Sequence, residues 1–224
     1  METESRDFAA MELIGCILCA KTENERRPLF LRGREVLMAQ KPRPPCTTVW
    51  LPILRKDRLE WAVEKLTEVG CTAIQFYGAQ RSRPGKVDLD RLFRIRDESE
   101  RQCKRYFSMD IYDMLPKGLS SLESRRNGNG KAMSIWFDVD SKNSLRDFRK
   151  KTPQGDSHDH NFNLIIGPEG GFSHEEREIL SHECEMSVQL EGCEYVLKAD
   201  TAAVSAVLLV RGAVGWDVSR EENT

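Results

Sequence analysis

The spacing of apolar and polar positions changes period repeatedly along this chain. Residues 47–54 (TTVWLPIL) are β-branched and apolar, and read as a strand whose Pro52 suits its edge or end. Over 57–69 the apolar positions fall at Leu59, Val63, Leu66 and Val69, a helical stripe, with Gly70 placed to cap it. Residues 72–77 predict a second strand. Residues 89–107 predict one long helix with Leu89, Leu92, Phe93, Cys103 and Tyr106 on its apolar side. A strand over 132–139, a short helix over 144–150, a loop over 151–161 and a strand over 162–166 follow. A helix opening at Ser173 and running to about Cys184, a strand over 186–190 and a helix over 200–214 complete the chain. Strands alternating with helices predict an α/β domain on a mainly parallel sheet.

The N-terminal part differs. Residues 11–19 are apolar and β-compatible, whereas 21–46 are polar, rich in Lys and Arg, and carry four prolines. A boundary near residue 48 separates a short N-terminal β segment, 1–48, from the α/β domain, 49–224.

The densest local signal is 164–176, LIIGPEGGFSHEE. An apolar strand runs into Gly167, Pro168, Glu169, Gly170 and Gly171, and Ser173 with Glu176 forms a capping-box pattern that starts a helix. Strand, glycine turn and helix N-terminus expose backbone N–H donors, and glycines let a ligand come close to the backbone. The same spacing also suits a tight strand–helix turn without a ligand. No Gly-Lys-Ser/Thr follows and there is no G-x-G-x-x-G, which argues against an NTPase and a nicotinamide enzyme.

GPEGGFS followed by acidic helix residues resembles the signature of the ribosomal RNA uridine-N3 methyltransferase family, within the SPOUT superfamily. Four further stretches agree, in the family's order. Lys56, Arg58, Lys65, Glu68 and Gly70 are similar to its first helix motif, and Gln80-Arg81-Ser82 to its E-R-S turn. Glu98, Gln102 and Arg105 match its E-x-x-x-Q-x-x-R helix, and 196–202 (VLKADTA) resembles its I-L-R-x-E-T-A segment. The resemblance spans about residues 50–215. It implies a SPOUT-type parallel sheet with a C-terminal trefoil knot, preceded by a short PUA-like β segment that grips RNA. It also implies S-adenosylmethionine as cofactor, small-subunit ribosomal RNA or the assembled small subunit as partner, and a homodimer. The apolar positions of 201–210 surround nearly the whole helix, which requires burial on all sides, in the domain or partly at such an interface.

By the same resemblance, Gly167, Glu169, Gly170 and Gly171 form one wall of the donor site. Leu190, Val196, Leu197 and Thr201 form the other. Uridine N3 is protonated at neutral pH, so transfer needs a group to take the proton and a cation to steady the anion. Glu169, Arg105 and Arg81 are the catalytic candidates. Arg81, Arg83, Arg101, Arg105 and Lys198 are the RNA-binding candidates; cations on a helix are otherwise an ordinary solvated face. Lys198 and Asp200 stand where the family has Arg and Glu; charge sign is kept, but Lys lacks the planar fork of Arg.

Composition adds limits. With 34 basic and 36 acidic residues, the total charge does not point to nucleic acid, so only local clustering can. Seven scattered cysteines, no apolar run near the ~18 residues of a membrane span, and an acidic start predict a reduced, cytoplasmic protein. Cys16 with Cys19, and His158 with His160, lack a second ligand pair, so no metal is assigned. Two other readings fit the same residues: a catalytically inactive RNA-binding assembly factor of this fold, and a methyltransferase with another RNA target.

Overall fold

The computed structural model describes residues 46–82, 85–115, 118–122, 132–151, 161–190 and 195–214. All fall in one unit, 43–224. The expected N-terminal β segment, Arg83 and the loop around His158 lie outside the described residues.

Six strands form one sheet: β1 (Thr47–Pro52), β2 (Ala73–Tyr77), β3 (Asp110–Leu115), β4 (Ala132–Phe137), β5 (Asn161–Ile166) and β6 (Met186–Val188). Their order is β3-β2-β1-β5-β4-β6, and every pairing is parallel. The helices are α1 (Lys56–Glu68), α2 (Leu89–Gln102), α3 (Leu145–Lys151), α4 (His174–Glu183) and α5 (Ala199–Ala213).

β1 is buried at all six positions because both faces of the central sheet are covered, which is why its sequence is apolar without alternation. Val49, Leu51, Ile74, Leu164 and Ile166 point to one face and pack with Leu59, Val63, Leu66, Phe148, Ala203 and Val207 from α1, α3 and α5. Trp50, Tyr77, Trp136 and Ile165 point to the other and meet Phe172 and Leu180 around α4.

The placement of helices explains the position of the site. The chain steps from β1 to β2, and from β4 to β5, in one direction, with α1 and α3 on the first face. From β5 to β6 it steps the other way, with α4 on the second face. That is what right-handed crossovers demand when direction reverses. The chain therefore leaves the adjacent strands β1 and β5 toward opposite faces, opening a crevice at their C-terminal ends.

The structure departs from the residue pattern at three places. The helix over 89–107 stops at Gln102, because Lys104 takes a positive φ of 55° and turns the chain. A strand, β3, then follows that the pattern did not suggest: it is an edge strand with Ile111 its one fully buried residue. On α5, Ala203, Ala206, Val207 and Val210 are buried, but Leu208 and Leu209 are 53% and 37% exposed. Among the described residues, one side of α5 is buried and the side with Leu208 and Leu209 is exposed.

Candidate functional site

The crevice at the β1/β5 ends is built around the glycine turn. β5 delivers Gly167, and six residues later Ser173 caps α4 with the expected capping box: the Ser173 hydroxyl accepts from the Glu176 amide, and the Ser173 amide donates to Glu176 Oε2 at 2.8 Å. Glu176 does more than cap. Its Oε1 accepts from the Gln80 amide at 2.8 Å, so this buried carboxylate pins the loop after β2 to the start of α4. The Tyr77 hydroxyl, at the end of β2, donates to the Ile166 carbonyl at 2.6 Å. Burial holds that phenol well above its ordinary pKa, so it stays a donor. These bonds bring Arg81 against the turn, where its Nη1 donates to the Gly170 carbonyl at 3.1 Å.

Within the turn the glycines differ. Gly171 has φ +69°, a left-handed conformation suited to glycine, and a Cβ there would meet nothing within 4 Å. The backbone at Gly171 faces open space. At Gly170 a Cβ would lie 3.1 Å from Arg81 Cβ, and at Gly167 it would strike the Phe172 ring at 2.9 Å. Gly167 and Gly170 are therefore small for packing reasons, whereas Gly171 leaves room for a ligand.

Arg58, on the first turn of α1, reaches across the crevice. Its guanidinium donates to the Glu169 carboxylate on one side and to Asp200 Oδ1, at 2.9 Å, on the other. Arg58 and Asp200 are 17% and 7% exposed in their side chains, whereas Glu169 is open to solvent. Asp200 also accepts from the Thr201 amide at 2.8 Å. One cation thereby joins the glycine turn to the start of α5, the two walls expected for the donor. Residues 191–194 lie outside the described residues. Of the rest, Leu190 and Leu197 are half-buried, Val196 is 78% exposed and Thr201 half-buried. A third strand end borders the crevice: Asp138, after β4, is buried and paired with Arg177 of α4 at 2.5 Å.

Two features at the glycine turn suit a nucleoside-bearing donor: open backbone at Gly171 and the solvent-open carboxylate of Glu169.

The structure gathers Gly167, Glu169, Gly170, Gly171, Arg81 and Thr201 about this crevice, and Lys198 stands exposed just before α5. It does not bring Arg105 there. Arg105 lies beyond the C-terminal end of α1, where it donates to the carbonyls of Thr67, Cys71 and Phe107, the first at 2.8 Å and the last at 2.6 Å. Thirteen helical residues, about 20 Å, separate the two ends of α1. Arg101 is exposed on α2. The residue the sequence reading passed over is Arg58. It stood in a recognised motif, but its partners lie 111 and 142 positions away, and no local pattern shows such a pairing.

Among the described residues no group of three or more His, Cys, Asp or Glu is arranged to hold a metal, and no helix is long and apolar enough to cross a membrane.

Comparison with known proteins agrees with this architecture. A curated relative, ribosomal RNA small subunit methyltransferase E from Rickettsia conorii, is 26% identical over 185 residues, covering 82% of this chain and 70% of the relative. The structure of ribosomal RNA small subunit methyltransferase E from Neisseria gonorrhoeae, bound to S-adenosylmethionine, matches with a TM-score of 0.63 at 20% identity, over 75% of this chain and 66% of that one. A structure from Legionella pneumophila, also with bound S-adenosylmethionine, matches with a TM-score of 0.61 at 25% identity, over 76% and 67% of the two chains. The family model described as an RNA methyltransferase domain matches residues 41–211, most of the chain, and the protein belongs to that family.

Proposed function

We propose that the chain transfers a methyl group from S-adenosylmethionine to N3 of a uridine in small-subunit ribosomal RNA. The observation that carries this reading is the Arg58 bridge, which joins a ligand-accessible glycine turn to the start of α5 at the switch point of a parallel sheet. Support for the substrate comes from the relatives named methyltransferase E and from the five ordered motifs.

When bound, the donor supplies an electrophilic methyl group. Gly171 and the turn's backbone hold it on one side, with Leu190, Val196, Leu197 and Thr201 on the other. Glu169, solvent-open and already accepting from Arg58, is positioned to take the N3 proton. Arg81, fixed by Gly170, offers positive charge for the uracil anion or an adjacent phosphate. Lys198, Arg101 and Arg83 are assigned to the RNA backbone, and Arg105 to holding the far end of α1. The N-terminal 1–48 segment adds grip on RNA. Threading of the C-terminal segment into a trefoil knot, a cytoplasmic location and a homodimer complete the reading. The exposed Leu208 and Leu209 supply an apolar surface for the second copy.

The test is donor titration by calorimetry, followed by methylation of small-subunit particles with labelled donor and mass mapping of the modified nucleoside. Donor binding with N3-methyluridine as product supports the proposal. A methyl group on another atom or another RNA would redirect it to a different target. No donor binding at all would leave an RNA-binding assembly factor.

A further inference from the structure

The chain carries nearly equal numbers of acids and bases, and many described cations on and beside α1 and α2 are paired. Arg55 holds Asp57, Lys65 sits between Glu64 and Glu68, and Arg91 meets Glu60. The stretch 142–151 departs from this. It holds Lys142, Arg146, Arg149, Lys150 and Lys151 against a single acid, Asp147. That acid is already engaged: it accepts from the amide and hydroxyl of Ser144, at 3.0 and 2.9 Å, and from Lys150 at 3.4 Å. Among the described residues, Lys142, Arg146, Arg149 and Lys151 have no carboxylate partner, and all are exposed.

The surface is rigidly presented. Phe148, the inward residue of α3, is fully buried and packs edge-on against Phe162 of β5, with ring centroids 5.9 Å apart. The loop before α3 is fixed to β6, where Asn143 accepts from the Gln189 amide at 2.9 Å and donates to the Ser187 carbonyl at 3.1 Å. Lys142 therefore stands beside the strand that runs on to Leu190, at the edge of the crevice. A cationic face without internal partners carries a desolvation and repulsion cost that a polyanion relieves, and phosphates in series match cations in series.

We propose that α3 and Lys142 form a docking face for the phosphate backbone of the RNA substrate, outside the donor crevice. The proposal rests on the RNA methyltransferase reading. RNA lying along α3 passes the open end of β6 and reaches the crevice from that side. The contacts are to phosphate, so they position the RNA without reading its sequence.

The experiment measures binding of the full chain to a fluorescein-labelled hairpin of small-subunit ribosomal RNA sequence, by anisotropy, across a salt series. The wild type is compared with R146E/R149E/K151E. The triple variant is expected to bind at least tenfold more weakly, with a salt slope smaller by about 2 to 3. Its affinity for S-adenosylmethionine should be unchanged, which also confirms that it folds. Should the triple variant not fold, the neutral pair R149Q/K151Q is expected to lower the slope by about 1 to 2. Equal affinity and equal slope in a folded variant would overturn the docking face and leave the methyltransferase reading intact. A wild type that binds donor but not RNA would overturn both. Tighter binding to phosphatidylserine vesicles than to the hairpin would assign the face to a membrane surface instead.

Discussion

The two ends of α1 are each held by arginine, in opposite ways. At the N-terminal end Arg58 pairs with two carboxylates on separate segments, one of them open to solvent. At the C-terminal end Arg105 and Arg211 donate to backbone carbonyls: Thr67, Cys71 and Phe107 for the first, Val69 and Gly70 for the second. The last carbonyls of a helix lack intrahelical partners, and cations there are favoured by the helix dipole. Burial lowers both guanidinium pKa values, and for Arg211 the charge of Arg105 adds to it. Carbonyl ligands fix a backbone permanently; carboxylates on two loops fix a geometry that a ligand can adjust. The first arrangement serves stability and the second serves the site.

The sharpest way to break this contrast is Arg105→Ala. It removes a buried cation from three carbonyls, and bonds to charged groups are worth about 1.5–3 kcal/mol each, without simple additivity. A loss of about 4 kcal/mol is expected in urea unfolding, with donor affinity within a factor of about two of wild type. A stable protein that binds donor and has lost turnover would place Arg105 in the chemistry after all.

Arg58→Ala should do the reverse in kind. It leaves Asp200 buried and unpaired, which costs about 3 kcal/mol, and it releases the two walls, lowering donor affinity by about tenfold or more. Calorimetry on Arg58→Lys should show partial recovery, since an ammonium lacks the planar fork that spans both carboxylates. Unchanged donor affinity in Arg58→Ala would detach the bridge from the donor site.

Cys71 probes the stability end alone. Its buried thiol, donating to the Ala73 and Thr47 carbonyls, is pushed from 9.0 up to about 11, mainly by burial. The folded state thus disfavours the thiolate. Its contribution is fully present below pH 9 and is lost as pH rises through about 11, when the unfolded chain ionises first. Stability should fall by about 2 kcal/mol across that window, and Cys71→Ala should remove that part of the slope. An identical alkaline slope in the variant would exclude the thiol as its source.

The smallest effect on stability is expected from Gly170→Val. Its side chain would press on Arg81 Cβ, 3.1 Å from the new Cβ, so the Arg81 segment and the turn must move apart. The fold should be destabilised by about 1 kcal/mol, the low end for overpacking, and donor affinity should fall by about tenfold as the turn shifts. Retained affinity would shift the ligand contact to Gly171 alone.

Much of the fold could be read from the sequence, because the five helices and five of the six described strands carry a local signal, either a periodic stripe or a short apolar run. β3 carries almost none: two aspartates and one buried isoleucine do not spell a strand until a neighbour supplies the ladder. The site divides in the same way. The glycine turn and the Ser173–Glu176 box are local chemistry and were legible. Arg105 keeps the helical spacing of Glu98 and Gln102 although the helix ends at Gln102, and its bonds hold it at the end of α1 away from the crevice. At position 200, where the family has Glu, the shorter carboxylate of Asp still receives Arg58 at 2.9 Å.

The position of β1 in the sheet has a consequence for how the chain is made. β1 pairs with β2 a few dozen residues later, but its other edge waits for β5, more than a hundred residues downstream. At synthesis rates of about 5–20 residues per second, that edge stays unpaired for roughly 5 to 25 seconds. During that time Val49, Trp50 and Leu51 sit on a strand that can template pairing with another nascent chain. The strand at the centre of the finished sheet is therefore the one most exposed to misassembly on the ribosome, and slowing elongation between β1 and β5 should lower the soluble yield.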